Sequence, residues 1–384
     1  MFSILPRSRL ARLRAGGVIM ALVAVVLVAL RARNPVEVEA KPAGNNDVPA
    51  GVVRLTGSPE EIGRQHGTQL RDAIHTMVND YVGNQPGWDT LGDEWLRRTR
   101  RMKAALPQWY LRELKACAAA AGIDEDVLLF AQCEGDIRGL GDGGADDDAR
   151  LGGCTSYVAF GPSTANGHPE MGRNFDYWGL ESTRECVIVL AVVPEPEDGY
   201  AFLSVGWAGI LGGWTLVNEK GLFIANNLHY ASAMNADGIP TLILERIIAQ
   251  KAATIDEAIE LVQSTPRMRG QAFVIGHGGD ADAGVPPAGA SIIYDAENVR
   301  VVRAEDGFAF DTSIGTNPEL LRGILGNAER RAAAAIHAAG SSITLHSVAY
   351  RAEENAIWVA HGRRSSAHLG TYVKYDISSL LRRQ

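Results

Sequence analysis

The sequence predicts an α+β fold in which two antiparallel sheets carry helices on their outer sides. Three observations lead there. Residues 59–134 hold apolar positions at helical spacing, with capping residues where the periodic stretches begin. From Cys154 onward the texture changes to short β-branched and aromatic runs cut by Gly, Pro, Asn and Asp clusters. Two helical stretches, 239–250 and 255–264, then interrupt the strands before they resume.

In chain order, Val52-Val53-Arg54-Leu55 reads as a strand. Ser58-Pro59-Glu60-Glu61 follows as an N-cap, a first-turn proline and a capping-box acid. The helix they open is expected to reach about Tyr81 and to bury Ile62, His66, Leu70, Ile74 and Val78 on one face. Among those apolar positions His66 reads as a satisfied core histidine. Helices are expected near 93–105, 107–121 and 124–134, the last opened by Asp124-Glu125-Asp126 beside the positive helix end. Residues 139–150, rich in Gly and Asp, read as an exposed loop. Strands are expected at 157–160, 186–193, 200–205, 221–227, 271–276, 291–294 and 299–304. A helix at 328–339 and a closing meander at 343–351, 356–361 and 369–375 complete the chain.

At 384 residues the chain can bury a full core. Its formal charge of −8 and lack of a long basic run past the N-terminus exclude a nucleic-acid partner, which needs a phosphate-matching patch. The four cysteines (Cys117, Cys133, Cys154 and Cys186) are too scattered for a disulfide scaffold. No Cys/His spacing suggests a metal site, and no cofactor is implied. His229 and the His277–Asp280 stretch likewise read as structural. For Cys117 and Cys133 a disulfide after export is one reading, and small buried hydrophobes the favoured one.

The N-terminus places Arg7, Arg9, Arg12 and Arg14 before an apolar run from Ala15 to Leu30. That is the pattern of an export signal with its positive end held inside. Residues 1–33 are expected to be a signal peptide or a signal anchor, and both outcomes stay open. Either puts the body outside the cytoplasmic membrane, on its periplasmic or extracytoplasmic face, with anchoring through residues 15–30 in the second case. Residues 34–50 read as a flexible linker.

The stretch that organises the rest is Gly152-Gly153-Cys154-Thr155-Ser156, followed by Gly172-Arg173-Asn174-Phe175-Asp176. It reads as a β-hairpin whose first strand starts with a nucleophile and whose return strand carries the groups that orient it. A free thiol, with a pKa of about 8.5, needs a neighbouring base or charge. At a chain's own N-terminus the α-amino group, with a pKa of roughly 7.7–8.0, can be that base. On this reading Cys154 becomes catalytic once the Gly153–Cys154 bond is cut. Residues 51–153 are then a helical pro-segment or small chain, and 154–384 the catalytic large chain.

With these residues in place, the sequence resembles the N-terminal-nucleophile hydrolases, and among them the acyl-coenzyme A:6-aminopenicillanate acyltransferase family, with the choloylglycine hydrolases as cousins. Arg54–Gly67 is similar to that family's opening helix, Asn218–Asn227 to its middle strand, and Thr344-Leu345 onward to its closing strands. The resemblance implies a four-layer αββα sandwich. It implies that Cys154 is both the self-cleaving residue and the acyl-accepting nucleophile. Asp176 is implied as the partner of the new amine or thiol, and Arg173 as a neighbour in the same pocket. Asn227 is implied as the oxyanion donor with Asn226 as its rival in register, Asn317 as a second asparagine, and Arg330 or Arg331 as a later arginine. Trp178, Trp207 and Trp214 are candidates for an acyl pocket or for ordinary core.

The expectation is therefore an exported, self-processing amidase or acyltransferase acting on a small N-acyl amide, its other partner being its own N-terminal fragment. Water is the expected acyl acceptor, because nothing reads as a coenzyme A phosphate site. Two alternatives stand beside it. A papain-like cysteine peptidase needs its cysteine at a helix N-terminus. A non-catalytic exported binding protein on the same fold would leave Cys154, Asp176 and Asn227 unexplained.

Overall fold

The computed structural model describes residues 50–140, 152–177, 183–229, 233–280, 282–313, 315–327, 333–362 and 366–383. The expected leader, the loop centred on 141–150, Trp178, Arg330 and Arg331 lie outside them. Among the described residues no helix is long and apolar enough to cross a membrane.

The N-terminal segment opens with β1 (Gly51–Gly57), followed by α1 (Pro59–Gln69) and α2 (Arg71–Met77). Ser58 caps α1 as the sequence predicts, its hydroxyl accepting from the Glu61 N–H while the Glu61 side chain reaches back to Ser58 N–H. The single helix expected to Tyr81 is broken at Leu70, whose φ of −115° and ψ of 19° leave the helical region. A π-helical turn, Val78–Val82, closes the second piece. Next come α3 (Trp88–Met102), α4 (Gln108–Ala121) and α5 (Glu125–Gly139), the last kinked at Cys133.

The body holds β2 (Gly152–Gly161), β3 (Gly167–Tyr177), β4 (Val187–Pro194), β5 (Phe202–Trp207), β6 (Thr215–Asn218) and β7 (Leu222–Leu228). The central helices α6 (Thr241–Lys251) and α7 (Ile255–Ser264) follow, then β8 (Gln271–His277), β9 (Ala288–Tyr294), β10 (Val299–Arg303) and β11 (Phe308–Thr312). The chain ends with α8 (Pro318–Leu325), α9 (Ala334–Ala338), β12 (Thr344–Arg351), β13 (Ala356–His361), β14 (Val373–Asp376) and α10 (Ile377–Leu381). Of these, β6, β11, α8 and α10 were not expected from the sequence.

The strands form an eight-stranded sheet, β1-β4-β5-β6-β7-β8-β9-β10, and a six-stranded sheet, β11-β2-β3-β12-β13-β14. The pairing is antiparallel except at one edge, where β1 runs parallel to β4, Leu55 opposite Val192. The N-terminal segment, residues 51–140, thus adds to its helices the strand expected near 52–55, which forms an edge of the larger sheet.

Period-two alternation explains the layers. On β4, Val189, Ala191 and Val193 join Val158, Met171, Val348 and Val359 of the facing sheet. Ile188, Leu190 and Val192 turn the other way, into a core shared with α1 to α7. A third cluster, with Tyr157, Ala159, Leu321, Leu325 and Ile336, seats α8 and α9 on the outside of the smaller sheet. Helices, sheet, sheet and helices follow one another through three apolar layers, the αββα order that the resemblance implies.

The N-terminal helices dock closely. A methyl at Gly63 would sit 2.1 Å from the Glu113 carbonyl oxygen, and one at Gly67 2.3 Å from that of Cys117, so only glycine lets α1 lie against α4. His66, on the same face, is buried and accepts the Gly209 N–H at 2.9 Å through Nε2. Burial, with the nearby Arg246 charge, pushes its pKa down to about 4, so it is a neutral core histidine as expected. Cys117 and Cys133 are free, buried thiols.

Candidate active site

The hairpin β2–β3 brings the candidate residues together by register. Gly153 lies opposite Asp176, Cys154 opposite Phe175, and Ser156 opposite Arg173. Directly paired residues share a face, so Cys154, Ser156, Phe175 and Arg173 project to the same side. Cys154 is the third residue of β2 rather than its first, because Gly152 and Gly153 continue the ladder against Tyr177 and Asp176. Its backbone is pinned on both sides by one residue: its N–H donates to Ser313 Oγ at 2.8 Å, and its carbonyl accepts the Ser313 N–H at 3.0 Å.

The Cys154 thiol is buried, which raises its pKa; the Arg173 charge pulls it back, and the Asp176 carboxyl pushes it up again. Arg173 Nη2 donates to Cys154 Sγ at 3.0 Å and to the Asn226 carbonyl at 2.9 Å, with Asn226 Oδ1 at 3.3 Å. Its Nη1 reaches Thr215 Oγ1 at 3.3 Å and His346 Nε2 at 3.2 Å, and the guanidinium carbon lies 4.8 Å from the Phe175 ring centre. Arginine can only donate, so His346 Nε2 accepts and the ring proton sits on Nδ1. Burial and the Arg173 charge hold the His346 pKa well below its ordinary value, which keeps that lone pair available. Arg173 itself is fully buried and, among the described residues, has no carboxylate at ion-pair distance.

Asp176 is 1% exposed. Burial raises its pKa to about 6, against the pull of the Thr344 and Ser341 hydroxyls and of Arg173. Its Oδ1 accepts from Thr344 Oγ1, and its Oδ2 has no hydrogen-bond partner. That partnerless, buried oxygen belongs to a residue that lines the same cavity as Cys154.

The two asparagines of β7 separate cleanly. Residues 222 and 224 face the helices and 223 and 225 the opposite sheet, so Asn226 and Asn227 point opposite ways. Asn227 is engaged between the sheets: its Nδ2 donates to the Asp311 carbonyl and carboxyl, each at 2.9 Å, and its Oδ1 accepts from Ser156 Oγ at 2.8 Å. Asn226, the rival, lines the cavity with Cys154. Asn317 is brought to neither; it is exposed and caps α8, Oδ1 accepting the Glu319 N–H at 2.9 Å, with Pro318 at the first helical position.

A cavity of about 110 Å³ is lined by Gly153, Cys154 and Asp176. Phe175, Trp214 and Tyr81 supply aromatic wall, and α5 of the N-terminal segment supplies Cys133, Glu134 and Asp136. Trp214 is thus cavity wall, whereas Trp207 packs behind it at 4.5 Å between ring centres. Among the described residues no cluster of His, Cys, Asp and Glu could hold a metal ion.

Sequence reasoning missed Glu245, His346 and Ser313. Each reaches the site from an element far along the chain, and no local motif marks them.

The family model for acyl-coenzyme A:6-aminopenicillanic acid acyl-transferase matches residues 163–297. A protein from Archaeoglobus fulgidus described as uncharacterized is 24% identical over 256 residues, 61% of this chain and 42% of its own length. Protein dcd1B of Dictyostelium discoideum is 22% identical over 244 residues, 58% of this chain and 47% of its own. The chain therefore spans less than half the length of the curated relatives it matches. Among solved structures, the Caenorhabditis elegans ortholog of N-acylethanolamine-hydrolyzing acid amidase aligns with a TM-score of 0.40 and 18% identity, over 51% of this chain and 92% of that one.

Proposed function

We propose, from the premise that this chain is of the acyl-coenzyme A:6-aminopenicillanic acid acyl-transferase kind over residues 163–297, that it is a self-cleaving cysteine amidase. Its substrate is a small N-acyl amide and water is the acyl acceptor. The single observation that carries the reading is Cys154 Sγ at 3.0 Å from Arg173 Nη2, beside the open carboxyl oxygen of Asp176. Cys154 lies inside a strand, not at a helix N-terminus, which argues against a papain-like peptidase.

In processing, the Cys154 sulfur attacks the Gly153 carbonyl carbon. The C–S bond forms, the C–N bond breaks, and the thiol proton ends on the departing nitrogen. Water then hydrolyses the thioester, leaving a Gly153 carboxylate and a free Cys154 α-amine. In turnover, that amine takes the thiol proton and the thiolate adds to the substrate carbonyl. Asn226, with one Nδ2 hydrogen engaged by Glu245 and a second to offer, is the oxyanion donor on this reading, in place of Asn227. The α-ammonium gives its proton to the leaving amine, held by Asp176, and water releases the acyl group as an acid. Export by the N-terminal leader belongs to the same proposal, and its support is the charge pattern of residues 1–33.

The test is a denaturing gel with N-terminal sequencing of the larger band. Wild type should run as two chains, the larger beginning at Cys154, and Cys154→Ala as one uncut chain without amidase activity. Intact wild type that still hydrolyses amides would end the proposal.

A further inference from the structure

Glu245 sits in the middle of α6, a helix buried on nearly every side, and is itself 0% exposed. Its neighbour Arg246 is equally buried, but Glu113 of α4 answers it with two bonds, 2.8 and 3.2 Å. Glu245 has no such answer: among the described residues no cation lies at ion-pair distance from it. Its Oε1 has no hydrogen-bond partner, and its Oε2 accepts one bond, from Asn226 Nδ2 at 2.6 Å. Burial holds its pKa well above the usual carboxylate range, and Arg173 is the charge that opposes this. Keeping an acid in such a place is costly, and an apolar side chain would pack there with less penalty.

What the acid does is visible in its one bond. A primary amide has two orientations, and only one suits both neighbours of Asn226. Arg173 can only donate, so Asn226 must present Oδ1 to it, and its Nδ2 then points at Glu245. Charged or neutral, Glu245 offers an oxygen that accepts. The sequence of contacts is continuous: Glu245 Oε2, Asn226 Nδ2 and Oδ1, Arg173 Nη2, Cys154 Sγ, at 2.6, 3.3 and 3.0 Å. We infer that Glu245 is a positioning residue: by locking the Asn226 amide it aims the Arg173 guanidinium at the Cys154 sulfur. This rests on the reading of Cys154 as the nucleophile. It assigns a role in that chemistry to a helix that contributes no reacting atom.

The experiment compares Glu245→Met, which keeps volume and removes the acceptor, with Glu245→Gln, which keeps an acceptor. The first readout is the pH dependence of Cys154 alkylation by iodoacetamide, followed on the Cys154 peptide by mass spectrometry, and it needs no substrate. The second is the split between kcat and KM on a hydrolysed N-acyl amide. Glu245→Met should move the alkylation midpoint upward by about one pH unit and lower kcat roughly 10- to 100-fold, with KM within about twofold. Glu245→Gln should stay within about threefold of wild type on every measure. Should Glu245→Met not fold, Glu245→Asp, too short to reach Asn226, should give the same upward movement. An unmoved midpoint in Glu245→Met or Glu245→Asp overturns the inference, as does an equal loss in Glu245→Gln. A moved midpoint in a protein that hydrolyses no amide would uphold the positioning role and refute the amidase reading instead.

Discussion

Arg173 Nη2 and Cys154 Sγ face each other at 3.0 Å with no carboxylate at ion-pair distance from the guanidinium among the described residues. A buried cation aimed at a buried thiol favours the thiolate. Replacing Arg173 with Met should therefore raise the pH at which Cys154 is alkylated by one to two pH units, and lower kcat by on the order of 100-fold. Lysine should restore only part of the loss, since its single ammonium cannot meet Thr215, His346, Asn226 and Cys154 together. Alkylation kinetics between pH 5 and 10 decide the matter; an unmoved midpoint would show that the contact is packing alone.

Asn226 and Asn227 are adjacent in sequence and should part company in function. Asn226→Ala should lower kcat per folded molecule by about 100- to 1,000-fold, the range for losing one oxyanion donor, beside a stability loss from stranding the buried Glu245 carboxyl. Asn227→Ala strands Ser156 Oγ and the Asp311 carbonyl between the sheets, so it should cost about 1–3 kcal/mol of stability. Its kcat per folded molecule should stay near wild type. Unfolding curves paired with active-site titration test both halves.

Asp176 and His66 put opposite slopes into the pH dependence of stability. Asp176 has a folded pKa raised to about 6. Its contribution, on the order of 3 kcal/mol, is complete below the ordinary value of 3.8 and lost as pH rises through 6. His66 has a folded pKa lowered to about 4. Its contribution, of similar size, is complete above the ordinary 6.5 and lost as pH falls through 4. Relative to wild type, Asp176→Asn should lose stability on acidification from pH 6 to 4, and His66→Gln should gain it. Urea midpoints at pH 4.5, 5.5 and 6.5 give the comparison, and parallel wild-type and mutant profiles would contradict it.

Gly67→Ala should lower stability by about 2–3 kcal/mol, because its methyl would meet the Cys117 carbonyl at 2.3 Å, a backbone atom that cannot swing away. An alanine at exposed Gly323 of α8, where nothing lies near the added carbon, is the control and should be neutral or slightly stabilising. Thermal unfolding separates the two.

The layered fold was legible because β4, β7 and β8 are long apolar runs and α6 and α7 carry helical spacing with a Thr254 cap. Short edge elements were not. β11 is five residues, and its Phe308 and Phe310 alternate too briefly to stand out. Asn317 was read as a second asparagine of the site, although with Pro318 it opens α8 as cap and first helical residue. That Cys154, Arg173 and Asp176 come together was legible because one hairpin carries them all. Which of Asn226 and Asn227 lines the cavity was not, since it depends on which face of β7 meets which layer, and that is set by packing far away. Glu245 and His346 look like any helix acid and any strand histidine until the sheet brings them to Arg173.

The parallel edge pairing of β1 with β4, and the buried Glu113–Arg246 clasp, fix the molecularity of unfolding. A cut before Cys154 would divide the covalent chain without separating the two pieces, since one sheet and one core run through both. The nicked protein would then stay a single particle on dilution. Once denatured, however, it would have to find its other half again, so recovery would slow as protein concentration fell, a dependence that the uncut chain would lack.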